Sequence, residues 1–436
     1  MLKQTAERSC REVAAGPFPF LLESAGGGRY SFLGADPFAV LLARGDRQSL
    51  WRNGREEVIR GNPFDTLQSL LAESRLDAVA GLPLPGGAVG AFGYDLGQHL
   101  ERLPHRAEDD LDFPDLVLGF YDALTWIDHV DGKSGVLERT RRPRAIDART
   151  YADVFGAGTP TLPRGPNFTR DRYLAAIHRI KEYIAAGDVY QVNLSQRFHA
   201  RSEIPPFDIY RALRAASPAP YAAFLQFGRR AILSSSPEQF LELRDRTLVT
   251  RPIKGTRRRG GSAAEDERLA ADLLSSPKDD AELAMIVDLE RNDLGRVCEF
   301  GSVRVLEPKV LETHPTVIHL SATVGGRLRA GLGPVDVLRA TFPGGSITGA
   351  PKIRAMEIID ELEPTRRAFY TGAIGALGFD GSMNLSIAIR TVLSDGPDYF
   401  FQAGGGIVAD SDPAAEYEET LTKAAAMARA LGITLT

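Results

Sequence analysis

The feature that most limits what this chain can fold into is its run of short alternating apolar segments, joined by tight turns and interrupted by a few long amphipathic stretches. Residues 189–198 alternate as a strand does, and so do the segments at 231–234, 247–253 and 384–392. Short turns between such strands make neighbours antiparallel, and the long helices fall between groups of strands rather than after each one. That order is expected of an antiparallel-rich α+β fold, not of a parallel βαβ sheet. Toward the N-terminus, Phe18-Pro19-Phe20-Leu21-Leu22-Glu23-Ser24 is an apolar run that stops at Gly26-Gly27-Gly28, and Ala35-Asp36-Pro37 and Pro83-Leu84-Pro85-Gly86-Gly87 mark further breaks. Gly90-Ala91-Phe92-Gly93-Tyr94-Asp95 reads as a strand of small residues where backbones pack closely. The stretch 156–167, rich in Gly and Pro, is the best linker candidate. It divides an N-terminal region, 1–155, from a second region, 168–430, the two packed as one large unit.

The totals exclude several functions. A chain of 436 residues with 43% hydrophobic and 25% charged residues has the balance of a soluble globular protein with a large core. Its 52 basic and 57 acidic residues leave a net charge of −5, with no long basic run, so a nucleic-acid partner is not expected. An anionic substrate must then be met by a few local cations or by a metal. Two cysteines, Cys10 and Cys298, cannot make a disulfide scaffold or a CxxC metal site, and they fit a reducing compartment. The polar first residues lack the apolar core of a signal peptide, and no segment approaches the roughly 18 apolar residues of a membrane helix. A cytoplasmic protein, with no membrane partner, is expected.

Three helices have clear starts. Thr169 can cap a helix over 170–186 closed by Gly187, with Tyr173, Ala176, Ile177, Ile180 and Ile184 on its apolar face. Ser276-Pro277-Lys278-Asp279 is a second start, followed by the stripe Leu283, Ile286 and Val287. Asp279 and Glu282 share a face of that helix, which alone reads as a solvated acidic stripe. The last helix, 413–431, carries Glu416, Glu419 and Lys423 on one face, either as a surface i,i+4 pair or as half of a clamp for a hard cation such as magnesium. It follows Ala403-Gly404-Gly405-Gly406, whose bare backbone can approach a ligand. Phe342-Pro343-Gly344-Gly345-Ser346-Ile347-Thr348-Gly349-Ala350-Pro351-Lys352 is a glycine-rich loop feeding a helix start, suited to a small carboxylate and lacking the Lys-Ser/Thr of a P-loop.

Together, Pro252-Ile253-Lys254-Gly255-Thr256, Val287-Asp288-Leu289-Glu290-Arg291-Asn292-Asp293-Leu294-Gly295-Arg296, the segment 344–352 and the segment 403–423 resemble the chorismate-utilising enzymes. That family includes anthranilate synthase component I, aminodeoxychorismate synthase component I, and the isochorismate and salicylate synthases. The likeness runs over 168–430 and, through Leu21-Leu22-Glu23-Ser24, reaches the N-terminal region. It implies a central sandwich of antiparallel sheets surrounded by helices. By resemblance, Glu282 and Glu419 are Mg2+ ligands, with Glu416 acting through water. Arg390 pairs with a substrate carboxylate. Gly255, Thr256, Ser346, Tyr370, Gly404, Gly405, Gly406 and Lys423 are further substrate contacts, and His319 lies beside the reacting ring. Glu238 is the general acid, and Lys254 is the covalent nucleophile.

Two positions choose among the family's reactions. Water-adding members have a lysine base where this chain has Gln191, and an amide cannot take that proton. Anthranilate synthases typically have alanine where this chain has Lys254. The pair implies amination of chorismate at C4, with anthranilate formation as the alternative. Neither cysteine lies in a Gly-x-Cys-x-Gly setting, so a separate glutaminase subunit is the expected ammonia source. Ser24, Pro220 and Tyr221 resemble a tryptophan pocket, although Ala222 stands where the family's Pro-Tyr-Met has methionine.

Overall fold

The computed structural model describes residues 10–435 except 26–27, 80, 140–141, 147–164 and 316. Most of the candidate linker, the boundary at 155, and Gly26 and Gly27 of the first turn lie outside the described residues. Among those described, the strands form two antiparallel sheets of ten and twelve strands. The first runs from Gly349–Ala350 through Gln191–Arg201, Asp398–Ile407, Thr391–Asp395, Arg230–Ser236 and Tyr221–Phe227 to Phe20–Glu23 and three further N-terminal strands. The second begins at Ile253–Arg258 and Val317–Arg327. It continues through Thr247–Arg251, Gln239–Arg244, Met383–Ile387 and Ala373–Gly378 to Gly87–Phe92 and Leu116–Tyr121, and ends in the hairpins of 39–60.

Residues before 147 and after 164 build both sheets. Phe20–Glu23 pairs with Tyr221–Phe227, and Gly87–Phe92 with Ala373–Gly378. The small residues of the latter strand are required there, because a Cβ on Gly90 would stand 1.9 Å from the Val117 carbonyl oxygen.

Alternation puts each strand's side chains in two different cores. Phe20, Val89, Ala91, Leu225, Ile232, Ile374 and Phe400 meet between the sheets. Leu21, Phe224, Leu233 and Phe401 face the other way and pack on the helices Pro206–Ala216 and Pro413–Ala430. The far face of the second sheet, with Leu41, Leu118, Leu241 and Leu320, packs on the helices Pro63–Glu73, Pro277–Gly295 and Lys352–Leu362. The result is the sandwich with outer helices. Among the described residues no helix is long and apolar enough to cross a membrane.

The helix starts are where the capping residues place them. Thr169 Oγ1 accepts from the Arg172 N–H at 3.4 Å, Ser276 Oγ from Asp279 N–H at 3.3 Å, and Asp412 Oδ1 from Ala415 N–H at 2.8 Å. Two strand expectations need correction. The run 247–253 is two strands, Thr247–Arg251 and Ile253–Arg258, because Pro252 between them has no N–H for the ladder. The run 384–392 is also two, Met383–Ile387 and Thr391–Asp395, and they belong to different sheets. Between them the chain crosses the sandwich.

Candidate active site

Two such crossings lie side by side. The chain leaves the first sheet at Ser236, passes Pro237 and Glu238, and enters the second at Gln239; it returns through Ala388, Ile389 and Arg390. Hydrogen bonds lock the crossings together. Ser236 Oγ donates to the Ile387 carbonyl at 2.6 Å, the Ile387 N–H to the Glu238 carbonyl at 3.1 Å, and the Ser235 N–H to the Arg390 carbonyl at 3.1 Å. Glu238 and Arg390 thus reach, from opposite crossings, the wall of a cavity of about 620 Å3.

Lys254 enters the same cavity from a bulge. The register of Ile253–Arg258 on Val317–Arg327 slips between Ile253 and Thr256, and Gly255 takes a φ of +77°. A residue with a Cβ would be strained there and would stand 2.9 Å from Asp279 Oδ1. The Lys254 ammonium nitrogen lies 3.5 Å from Gln191 Oε1. Opposite, Gly404, Gly405 and Gly406 pair with Ser195, Leu194 and Asn193, and the C-terminal helix lies across them. A Cβ on Gly405 would stand 3.1 Å from Glu416 Oε2 and 3.8 Å from Glu419 Oε1, so the bare strand is what lets these carboxylates lie in the cavity. Lys423 Nζ donates to the Gly404 carbonyl at 2.9 Å and pairs with Glu419 at 2.7 Å. Glu282 faces them from the helix Pro277–Gly295.

A profile of chorismate binding enzymes matches residues 18–429. The chain belongs to that family. It is 44% identical over 400 residues to aminodeoxychorismate synthase component 1 of Klebsiella aerogenes, covering 91% of this chain and 88% of that one. It is 40% identical over 453 residues to anthranilate synthase component 1 of Pseudomonas putida, covering 97% and 92%. The crystal structure of anthranilate synthase component I from Streptococcus pneumoniae TIGR4 superposes with a TM-score of 0.79 at 34% identity, covering 92% of each chain.

In this chorismate-binding chain the cavity gathers all the residues assigned to it by resemblance: Glu238, Lys254, Gly255, Thr256, Glu282, His319, Ser346, Tyr370, Arg390, Gly404, Gly405, Gly406, Glu416, Glu419 and Lys423. Ser24, Pro220 and Tyr221 are elsewhere. They line a second cavity of about 430 Å3, toward the N-terminal strands, which shares no lining residue with the first.

The charges in the first cavity are unbalanced in an informative way. No carboxylate of the described residues pairs with Arg390, which donates to the Ser217 hydroxyl at 3.4 Å, and burial lowers its pKa. Burial also pushes Lys254 down, and the charge of Lys423 adds to that against the pull of Glu282. Burial pushes Glu238 up, although a hydrogen bond from Ser346 and the charge of Lys254 oppose it. His319 is pushed down to about 3 by burial and then by Arg390, so it is neutral. Its Nδ1 lies 2.8 Å from Thr256 Oγ1, and its buried Nε2 has no partner.

The acidic side suits a hard cation shared with a ligand. Glu282, Glu416 and Glu419 bring only oxygen donors to the cavity, yet among the described residues no three acidic, histidine or cysteine side chains form a cage by themselves. That donor set matches magnesium, which commonly binds one or two carboxylates and completes its shell with substrate and water. Burial raises Glu416; in Glu419 the bond and charge of Lys423 outweigh burial and lower it. Asp279 is taken out of the set by Arg257 at 3.1 Å.

Among the lining residues that sequence reasoning did not assign to the site are Asn193, Gln402 and Lys278. Asn193 and Gln402 face the cavity, with Asn193 Oδ1 and Gln402 Nε2 buried and unpartnered. Lys278 sits 3.9 Å from Glu282. Asn193 was accessible by alternation, since it stands two residues from Gln191 on one strand face. Gln402 carries no such signal. The helix start after Pro351 does not line the cavity; of that loop only Ser346 and Ile347 do.

Proposed function

We propose that this chain is component I of an aminodeoxychorismate synthase. It would convert chorismate and ammonia to 4-amino-4-deoxychorismate for 4-aminobenzoate and folate synthesis. The observation that carries the reading is Lys254 itself: an amine of lowered pKa, presented by a bulge into the cavity beside Gln191. A deprotonated amine at that place is a nucleophile, and a carboxamide beside it is no base for water. The likeness to the Klebsiella aerogenes relative supports the same reading.

Arg390 would bind one carboxylate of chorismate through its planar fork, and the neutral His319 and Tyr370 would border the ring. Magnesium, held by Glu282 and Glu419 with Glu416 acting through water, would neutralise the other carboxylate. Lys254 Nζ then adds at C2, both ring double bonds shift around the far side of the ring to C1=C6 and C4=C5, and the C4 hydroxyl leaves as water with the proton of Glu238. A carboxyl kept protonated by burial is suited to that transfer. Ammonia adds at C4, both double bonds return to C1=C2 and C5=C6, and the C2–N bond breaks to release Lys254; the surplus proton of ammonia goes back to Glu238. Two modest barriers replace one high one. A separate glutaminase subunit would deliver the ammonia, since both cysteines of this chain are buried.

Anthranilate synthesis is the second reading, because the Pseudomonas putida relative covers as much of the chain. One assay separates them: chorismate, magnesium and ammonium, with and without an aminodeoxychorismate lyase. The expected result is 4-aminobenzoate only when the lyase is present, and its loss in Lys254→Ala. Fluorescent anthranilate formed without lyase would sink the C4 reading; full C4 amination by Lys254→Ala would sink the covalent route. The second cavity is the candidate tryptophan pocket, with Ser24, Pro220 and Tyr221 on its wall. Calorimetric titration showing no heat with tryptophan would remove that assignment.

A further inference from the structure

The helix Pro277–Gly295 buries two acidic side chains one turn apart, Glu290 and Asp293, each 3% exposed. Neither lines the substrate cavity. Burying carboxylates costs stability unless they are bonded, so their partners say what they are for. Asp293 pairs with Lys352, and Lys352 Nζ also donates to the Thr341 carbonyl at 2.8 Å. Lys352 and Thr341 are the two ends of the glycine-rich loop. Asp293 therefore pins both ends to one helix.

Glu290 meets the middle of the same loop. The Gly345 backbone lies against its carboxyl and lowers its pKa, and Thr250 Oγ1 donates to its Oε2 at 3.5 Å. A Cβ on Gly345 would stand 2.6 Å from Leu289 Cδ2 and 3.2 Å from Glu290 Oε1, so the loop can lie this close only as glycine. The next residue, Ser346, is buried, shares the cavity wall with Glu238, and lowers the pKa of that carboxyl through its hydroxyl. The contacts form one line: Glu290, the Gly345 backbone, Ser346, Glu238.

We infer that Glu290 is a positioning residue for the acid step: by holding the Gly345 N–H from beneath, it sets Ser346 against the Glu238 carboxyl. The inference rests on the reading of Glu238 as the acid. It gives the motif Leu289–Asp293 and the loop 342–352 a common task that substrate contact alone does not explain. Binding groups such as Arg390, Lys423 and Tyr370 stand on other elements, so the effect belongs in turnover rather than in affinity.

The test follows loss of chorismate, whatever product forms, so that a wrong product would overturn the C4 reading and leave this inference measurable. Glu290→Ala is expected to lower kcat about tenfold, the worth of roughly one buried hydrogen bond, with KM for chorismate unchanged within a factor of about two. Glu290→Gln can accept from Gly345 through its oxygen and bond Thr250 through its amide, so it should keep kcat within about threefold. The deciding comparison is the double variant: if Glu290 acts through Ser346, Glu290→Ala in a Ser346→Ala background costs little more. Additive losses, a Glu290→Gln variant as slow as Glu290→Ala, or a kcat in Glu290→Ala equal to the parent's would each overturn the inference.

Discussion

The proposed roles of Lys254 and Glu238 require protonation states that their ordinary pKa values disfavour. The proposed nucleophile must be neutral, and burial followed by the repulsion of Lys423 moves its pKa down toward that state. The proposed acid must hold its proton, and burial moves its pKa up. The sign of the pH dependence follows. The reaction needs Lys254 without its proton and Glu238 with its own, so the rate falls at both low and high pH, giving a bell. Lys423→Met removes a like charge from beside Lys254, so the Lys254 pKa should rise and the pH optimum of kcat/KM should move to higher pH. An optimum that stayed in place, or moved down, would refute this electrostatic coupling. Of these residues, Lys254 and Gln191 were legible because strong flanking motifs surround them. Asn193 and Gln402 were not, since a buried amide aimed at a cavity has the same sequence signature as one satisfied in a sheet.

Among the elements, the two crossings decide where the chemistry can sit. Periodicity read 384–392 as one strand because apolar residues continue through Ala388 and Ile389. Only packing shows that the chain changes sheets there, with Arg390 at a φ of +50°. Beside the crossing, Arg367 is 2% exposed and forks onto Glu363 at 2.7 and 2.9 Å. The same guanidinium donates to the Asn193 carbonyl at 2.7 Å and the Ile347 carbonyl at 3.1 Å, tying the central strand to the glycine-rich loop. Arg367→Met would leave Glu363 buried without its counter-charge, at a cost of about 3–5 kcal/mol. Urea unfolding should show a midpoint lowered to match; an unchanged midpoint would show that Ser195, which donates to Glu363 through its N–H at 2.8 Å, suffices.

In the whole molecule, strands from both halves of the chain alternate in space although they are far apart in sequence. A chain cut to residues 168–430 would lose the partner of Tyr221–Phe227 in one sheet and of Ala373–Gly378 in the other, exposing two central strands as edges. It should therefore aggregate or lack a cooperative melt in circular dichroism. A soluble fragment with a sharp transition would show that the regions fold independently. The sequence by itself determined the class of the fold, the caps at Thr169 and Ser276, the family, and Lys254, Glu238, Glu282, Glu416 and Glu419 as candidates that prove to share one cavity. These rest on local patterns: period, capping chemistry, and contiguous motifs. Tertiary structure alone decided that Arg390 and Glu238 meet from opposite crossings, that Gly255 turns Lys254 inward, and that Glu290 supports the loop behind Glu238. Those facts depend on contacts between residues tens to hundreds of positions apart, and no local pattern encodes which distant backbone will come near.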